Sequence, residues 1–247
     1  ELGLDTVAMA AALARATDRI RLLTAVRIGE NWPPQLARQL ATLQHLSEDR
    51  LDINIISSDR AGESLASGPR YQRTLDVMRS LDDLLSARPS ELQSPDFSFA
   101  TTPPRIATGP RPAFYFGGLS PDARDVAAAM ADVYLMWPDT FDAVREIIAD
   151  MRERAAGYNR TLRFGYRVHV IVRETEEEAR EHAAHLVQEQ VRVLGQREQG
   201  DPLRVVDVFV EHAGDARGFE GGGQRARVVA VAEHQQLHEQ PVVGPLR

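Results

Sequence analysis

Cysteine is absent from all 247 residues. That excludes disulfides, thiolate catalysis and cysteine-ligated metals together. Lysine is absent as well, since all 29 basic residues are arginine. No Schiff-base lysine and no P-loop lysine can take part in the chemistry; a GC-rich genome is a sufficient explanation. No long apolar run is present, so no membrane span is expected. The opening "ELGLDTVAMA" lacks the basic region of a secretory signal and lacks an initiator Met, so a processed or fragmentary chain is expected. Redox usage says nothing of the compartment, and a cytoplasmic protein is the default expectation. The net charge is −7, and the arginines are scattered among acids rather than gathered in stripes. Nucleic-acid binding is therefore not expected.

Strand-like and helix-like stretches alternate along the rest. "IRLLTAV" (20–26) precedes "PPQLARQLATLQHL" (33–46), where Leu36, Leu40, Leu43 and Leu46 share a helical face and Pro33 and Pro34 suit a helix start. "LDINIIS" (51–57) precedes a helix at 71–87 with Leu75, Met78, Leu81 and Leu85 in step. "AFYFGG" (113–118) runs into a helix with Ser120 as N-cap and Pro121 as its first residue. "VYLMW" (133–137) leads to a helix at 139–156 stopped near Gly157. A strand at 163–172 then enters a helix at 175–190, opened by a capping box of Thr175 and Glu178. Successive strand–helix units argue for a parallel sheet in an α/β protein. Polar residues at alternate strand positions, Asn54 and then Arg167 with His169, fit the interior of a TIM barrel better than an open doubly wound sheet.

Two segments break this rhythm. Residues 88–112, rich in Pro, Ser and Thr, read as a long excursion, a kind of segment that is often functional. After about residue 190 the pattern dissolves and only "RVVDVFV" (204–210) resembles a strand. The expected organisation is a barrel region over 1–190 with an insertion at 88–112, followed by a divergent, poorly ordered tail over 191–247.

The stretches "RIRLLTAVR", "LARQLATLQHLSEDRLDINIISSD", "RYQRTLDVM", "FYFGGLSPDARDVAA", "DVYLMWPDT" and "LRFGYRVHVIVRETEEEA" resemble, in order and spacing, the bacterial luciferase-like flavin monooxygenases. The similarity is strongest to the alkanesulfonate monooxygenase branch and spans residues 5 to about 186. It implies a TIM (β/α)8 barrel, of which this chain supplies strands corresponding to the third to the seventh, so an incomplete barrel is expected. It implies reduced FMN as cofactor, with the deazaflavin F420 as the alternative in the same fold. It also implies O2 and an alkanesulfonate as substrates, aldehyde and sulfite as products, and an NAD(P)H:flavin reductase as supplier of reduced flavin. No metal is implied, and a homo-oligomer is left open. A non-catalytic remnant of the barrel is the rival reading.

Arg167 and His169 fall where the family places catalytic residues. Two cation-capable groups on one strand face need an anionic partner, and a sulfonate is such a partner for the arginine fork while His can move a proton near neutrality. The plain alternative is a pair bound to an inward carboxylate. Asn54 and Ser57 correspond to residues facing the flavin ring, although the family's Thr-Gly continuation is Ser57-Ser58 here; Asn54 bonded within the core is the alternative. In "GGLSP" (117–121), Gly118, Leu119 and Ser120 offer a phosphate site at a helix N-terminus, with Leu119 standing where the family has Ser; an ordinary strand–helix turn capped by Ser120 is the alternative. Tyr71 corresponds to a family tyrosine that reaches the phosphate. Trp137, at a strand end, is expected either to line the substrate pocket with Arg167 or to be plain core. His182 and His185 lie on a charged helix and read as solvated, and the histidines of the tail show no trusted metal spacing.

Overall fold

A computed structural model describes residues 4–58, 62–167, 169–194 and 227–231. The elements in order are α1 (Thr6–Ala16), β1 (Leu22–Arg27), α2 (Pro33–Leu46), β2 (Leu51–Ile56), α3 (Ser67–Leu85), β3 (Ser90–Gln93), β4 (Ser98–Thr101) and β5 (Ala113–Phe116). They continue with α4 (Pro121–Met130), β6 (Val133–Met136), α5 (Phe141–Gly157), β7 (Arg163–Tyr166), β8 (His169–Arg173), α6 (Glu176–Leu194) and β9 (Arg227–Val231). By packing, residues 1–135 with 147–165 make one unit, and 136–146 with 166–247 make a second.

The central sheet has the order β1-β2-β5-β6-β7. The pairs β1–β2, β2–β5 and β5–β6 are parallel, as the strand–helix alternation requires. The amides of Arg163, which opens β7, and of Arg167, just past its end, donate to the carbonyls of Asp132 and Met136, both at 3.0 Å. The equal advance on both strands makes this pair parallel too. The fold is that of a TIM-barrel α/β protein, and the described residues supply five parallel strands of it.

Alternation divides the sheet of the first unit into two faces. Leu22, Thr24, Val26, Leu51, Ile53, Ile55, Phe114, Phe116 and Tyr134 are all buried. The helices supply the complementary layer through Leu36, Leu40 and Leu43 of α2, Met78, Leu81 and Leu85 of α3, and Ala123 and Ala127 of α4. The opposite face carries Ala25, Asn54 and Tyr115, aligned across β1, β2 and β5 and half-buried.

The local signals hold where they are strongest. Helix α2 spans the expected residues, Ser120 caps α4 by accepting from the Ala123 amide at 3.3 Å, and α5 ends at Gly157. Thr175 and Glu178 each receive the other's backbone N–H at 3.2 Å, which is the reciprocal capping box.

Three expectations change. Residues 163–172 do not form one strand: β7 ends at Tyr166, and β8 pairs antiparallel with β9, His169 opposite Val231 and Arg173 opposite Arg227. Strand β8 thus pairs outside the central sheet, and Arg167 lies past the end of β7, so the expected single strand bearing both Arg167 and His169 is not what the described residues form. Strand β9 lies where no usable period was read, while 204–210 lies outside the described residues, as does most of the tail. Third, the 88–112 excursion contains structure of its own. Strands β3 and β4 pair antiparallel, with Ser94 and Phe97 closing the turn.

That hairpin is tied down by groups far away in sequence. Phe99 of β4 meets Trp32 edge-on with ring centroids 5.9 Å apart. Arg73 of α3, whose side chain is fully buried, donates to both oxygens of Glu63 at 2.9 and 3.0 Å and reaches Asp96 at 3.5 Å. A buried guanidinium is tolerated only with such pairing.

Candidate active site

The turn from β5 to α4 holds the first cluster. Gly118 sits at φ +154°, in the region that favours glycine, and a Cβ there would stand 2.6 Å from Ala123 Cβ and 3.7 Å from the Tyr71 hydroxyl. A Cβ on Gly117 would stand 2.4 Å from the Leu135 carbonyl oxygen. The two glycines thus allow the chain to approach itself, and the same turn brings Tyr71 to its mouth. The Tyr71 ring stands edge-on to Phe116 at 6.4 Å, with the Arg70 guanidinium 5.3 Å from its centroid. Its hydroxyl has no partner among the described residues.

The amides of Gly118, Leu119 and Ser120 have no backbone acceptor among the described residues. They open a ten-residue helix whose positive end favours an anion. Ser120 accepts from Ala123 through Oγ and keeps its own O–H to donate, so the cap and the anion contact are compatible. Ser67 donates to the Asp122 carboxylate at 2.6 Å and so engages the one acidic side chain of the first turn of α4. Donors without acceptors, a cradle that a Cβ would fill and an adjacent phenol fit a phosphate ester such as the tail of FMN.

Asn54 lies on the half-buried face of β2, and its side-chain amide meets no partner among the described residues. Ser57 behaves differently, because its Oγ lies 2.5 Å from Thr74 Oγ1. Thr74 already donates to the Arg70 carbonyl at 3.0 Å. The shared proton therefore comes from Ser57, which is left with acceptor capacity only.

In the second unit, the Arg167 guanidinium lies 4.1 Å from the centroid of the Trp137 ring. Arg167 is exposed and makes no ion pair with a carboxylate among the described residues. Among the described residues the guanidinium thus lies over an aromatic face, and the inward carboxylate of the plain alternative is not found. The backbone of His169 opens β8, and its side chain lies outside what the structure describes. Residues that sequence reasoning missed are Thr74, which fixes Ser57, and Tyr134, whose hydroxyl reaches the glycine turn; a Tyr inside an otherwise apolar strand was the available signal. Among the described residues no group of His, Asp and Glu could hold a metal ion, and no helix is long and apolar enough to cross a membrane.

The luciferase-like monooxygenase family matches residues 1–242, extending past the limit near 186 read from the motifs. The sulfoquinovose monooxygenase of Novosphingobium aromaticivorans is 51% identical over 231 residues, covering 90% of this chain and 64% of that protein. The sulfoquinovose monooxygenase of Agrobacterium fabrum is 43% identical over 191 residues, covering 76% of this chain and 50% of that protein. The chain therefore spans about half to just under two thirds of the length of these relatives. Among solved structures, the EDTA monooxygenase of Chelativorans sp. BNC1 shares the fold with a TM-score of 0.68 at 18% identity, over 80% of this chain and 56% of that one. The coenzyme F420-dependent tetrahydromethanopterin reductase of Methanopyrus kandleri does so with a TM-score of 0.62 at 17% identity, over 78% and 65%. The chain belongs to the luciferase-like monooxygenase family.

Proposed function

We propose that this chain belongs to a reduced-FMN-dependent monooxygenase that cleaves the C–S bond of a sulfonated sugar of the sulfoquinovose kind. The observation that carries the reading is the 51% identity over 231 residues to a sulfoquinovose monooxygenase. That likeness favours a sugar bearing a C–SO3⁻ group over the expected plain alkanesulfonate. Reduced flavin with O2 would supply the oxidant, so that the sulfonated CH2 carbon would become an aldehyde, with bisulfite, oxidised flavin and water as the other products.

The chain's own residues would bind and orient. Tyr71, the amides of Gly118 and Leu119, and Ser120 would take the phosphate. Asn54 can both donate and accept at the edge of a flavin ring, and Ser57 can only accept there. Arg167, held over Trp137, would take the sulfonate through its fork of donors. His169 would hold or move a proton near neutral pH. A separate NAD(P)H:flavin reductase would supply the reduced cofactor.

The test is sulfite release by the full chain under air with reduced FMN, comparing sulfoquinovose with a plain alkanesulfonate, and reduced F420 with reduced FMN. Sulfite from sulfoquinovose with reduced FMN is expected. Turnover of the plain alkanesulfonate alone would restore the broader substrate, and turnover with F420 alone would replace the cofactor. FMN binding without sulfite from either sulfonate would make the chain a binding module.

A further inference from the structure

Tyr134 is 1% exposed on β6, and a buried phenol must place its hydroxyl. It donates to the Gly118 carbonyl at 2.6 Å. The ring is braced edge-on by Phe164, with centroids 6.5 Å apart. Burial pushes the hydroxyl above its ordinary pKa while Arg124 pulls the other way, so at neutral pH the group is a proton donor.

The peptide joining Gly118 to Leu119 is trans, so its carbonyl and its N–H point in opposite directions. Fixing the carbonyl on Tyr134 turns the Leu119 amide away from that hydroxyl. That amide is one of the three without a backbone acceptor among the described residues. Without the tether, a peptide next to a glycine at φ +154° could rotate and present its oxygen to the anion instead.

We propose that Tyr134 is a positioning residue for the cofactor phosphate: through the Gly118 carbonyl it locks the Leu119 N–H toward the anion at the head of α4. The inference rests on the reading of this turn as the phosphate site. Tyr134 does not touch the cofactor itself. Its contribution is to keep a dipole aimed before the ligand arrives, which avoids reorganisation on binding.

The test is flavin binding by the full chain, followed by fluorescence with oxidised FMN and riboflavin in parallel, since riboflavin lacks the phosphate. Tyr134→Phe keeps the ring and its contact with Phe164 while removing the tether. The expected result is an FMN affinity lower by about three- to tenfold, the net worth of one hydrogen bond, with riboflavin unchanged. Phe164→Leu, which loosens the ring without removing the hydroxyl, should give a smaller FMN-selective loss, and it serves if Tyr134→Phe fails to fold. Equal losses for both flavins would make the tether a general structural contact and overturn the proposal, as would no loss for either. A wild-type chain that binds FMN no tighter than riboflavin would instead remove the phosphate reading of the turn, and the proposal with it.

Discussion

The guanidinium of Arg167 lies over the ring of Trp137, 4.1 Å from its centroid, while the Arg167 amide donates to the Met136 carbonyl at 3.0 Å. One residue is therefore fixed at both ends, by its backbone on β6 and by its side chain on the residue that follows β6. A long arginine left to itself samples many rotamers, and holding it in one conformation lowers the entropic cost of gripping an anion. A flat aromatic face also leaves the guanidinium edge, with its N–H groups, free for an oxyanion.

Replacing Trp137 with Leu should therefore raise the sulfonate KM about three- to tenfold, the range of a partly exposed cation–π contact. Phe at the same position should recover part of the loss. The measurement is steady-state sulfite release, with kcat the control. A Leu variant with wild-type KM would mean that the stack does not prepare Arg167 for substrate.

Arg167 and His169 should separate kinetically. Arg167→Ala removes a charge-assisted fork and should act mainly on sulfonate binding. His169→Ala should act on kcat and flatten its pH dependence near neutrality. Arg167 follows the end of β7 and His169 opens β8, which pairs in another sheet, so independent effects are expected. A double variant whose loss equals the product of the single losses supports this, and equal small effects from both would make them structural.

Ser120→Asp offers a sharper test of the glycine turn. Aspartate caps a helix as well as serine does, so the Ala123 amide stays satisfied and the thermal midpoint should barely move. The new carboxylate would repel a phosphate at the same amides. FMN affinity should fall by about tenfold or more while riboflavin is unaffected, judged by the ΔG of one close like-charge contact. Unchanged FMN binding would take this turn out of the cofactor site.

Acid stability should depend on Asp132. Burial works to raise its pKa, but the hydrogen bond from Arg111, the Phe114 amide and the charges of Arg111 and Arg160 outweigh it and hold the carboxyl below its ordinary value. A depressed folded pKa contributes stability above the unfolded value, near 4, and loses it as pH falls through the folded one. Asp132→Asn should cost roughly 1–3 kcal/mol at neutral pH by leaving half-buried Arg111 with one carboxylate fewer. The difference in urea midpoint between the two proteins should shrink at about pH 3. A difference of the same size at both pH values would show that Asp132 acts through packing rather than charge.

Much of the chain follows from residues close in sequence. Helix α2 needs only two prolines at its start and leucines at helical spacing, and it forms over the expected residues. The cap at Ser120, the capping box at Thr175 and the parallel order of the strands are likewise local, or follow from strand–helix alternation. The glycine turn and Tyr71 were read from two separate segments, and the fold brings them side by side. Helix α1 was not anticipated, because "TVAMAAALARA" is alanine-rich and carries little apolar contrast, even though Asp5 caps it at 2.7 Å from the Ala8 amide.

What escaped the sequence is pairing across distance. Whether β8 continues β7 or turns to pair with β9 depends on a strand more than fifty residues further on, and the Val-rich run from 168 to 172 reads the same either way. The polar strands β3 and β4 show no alternation; they are held by Trp32 and by the buried Arg73 with Glu63 and Asp96. The sequence argued for an anion beside Arg167, whereas its contact with the Trp137 face is set by tertiary structure. Periodicity and capping act over a few residues and are written in the residue order. A hydroxyl that finds a carbonyl, as Tyr134 finds Gly118, depends on which backbones the packed helices bring within 3 Å, and that is decided only when the sheet has formed.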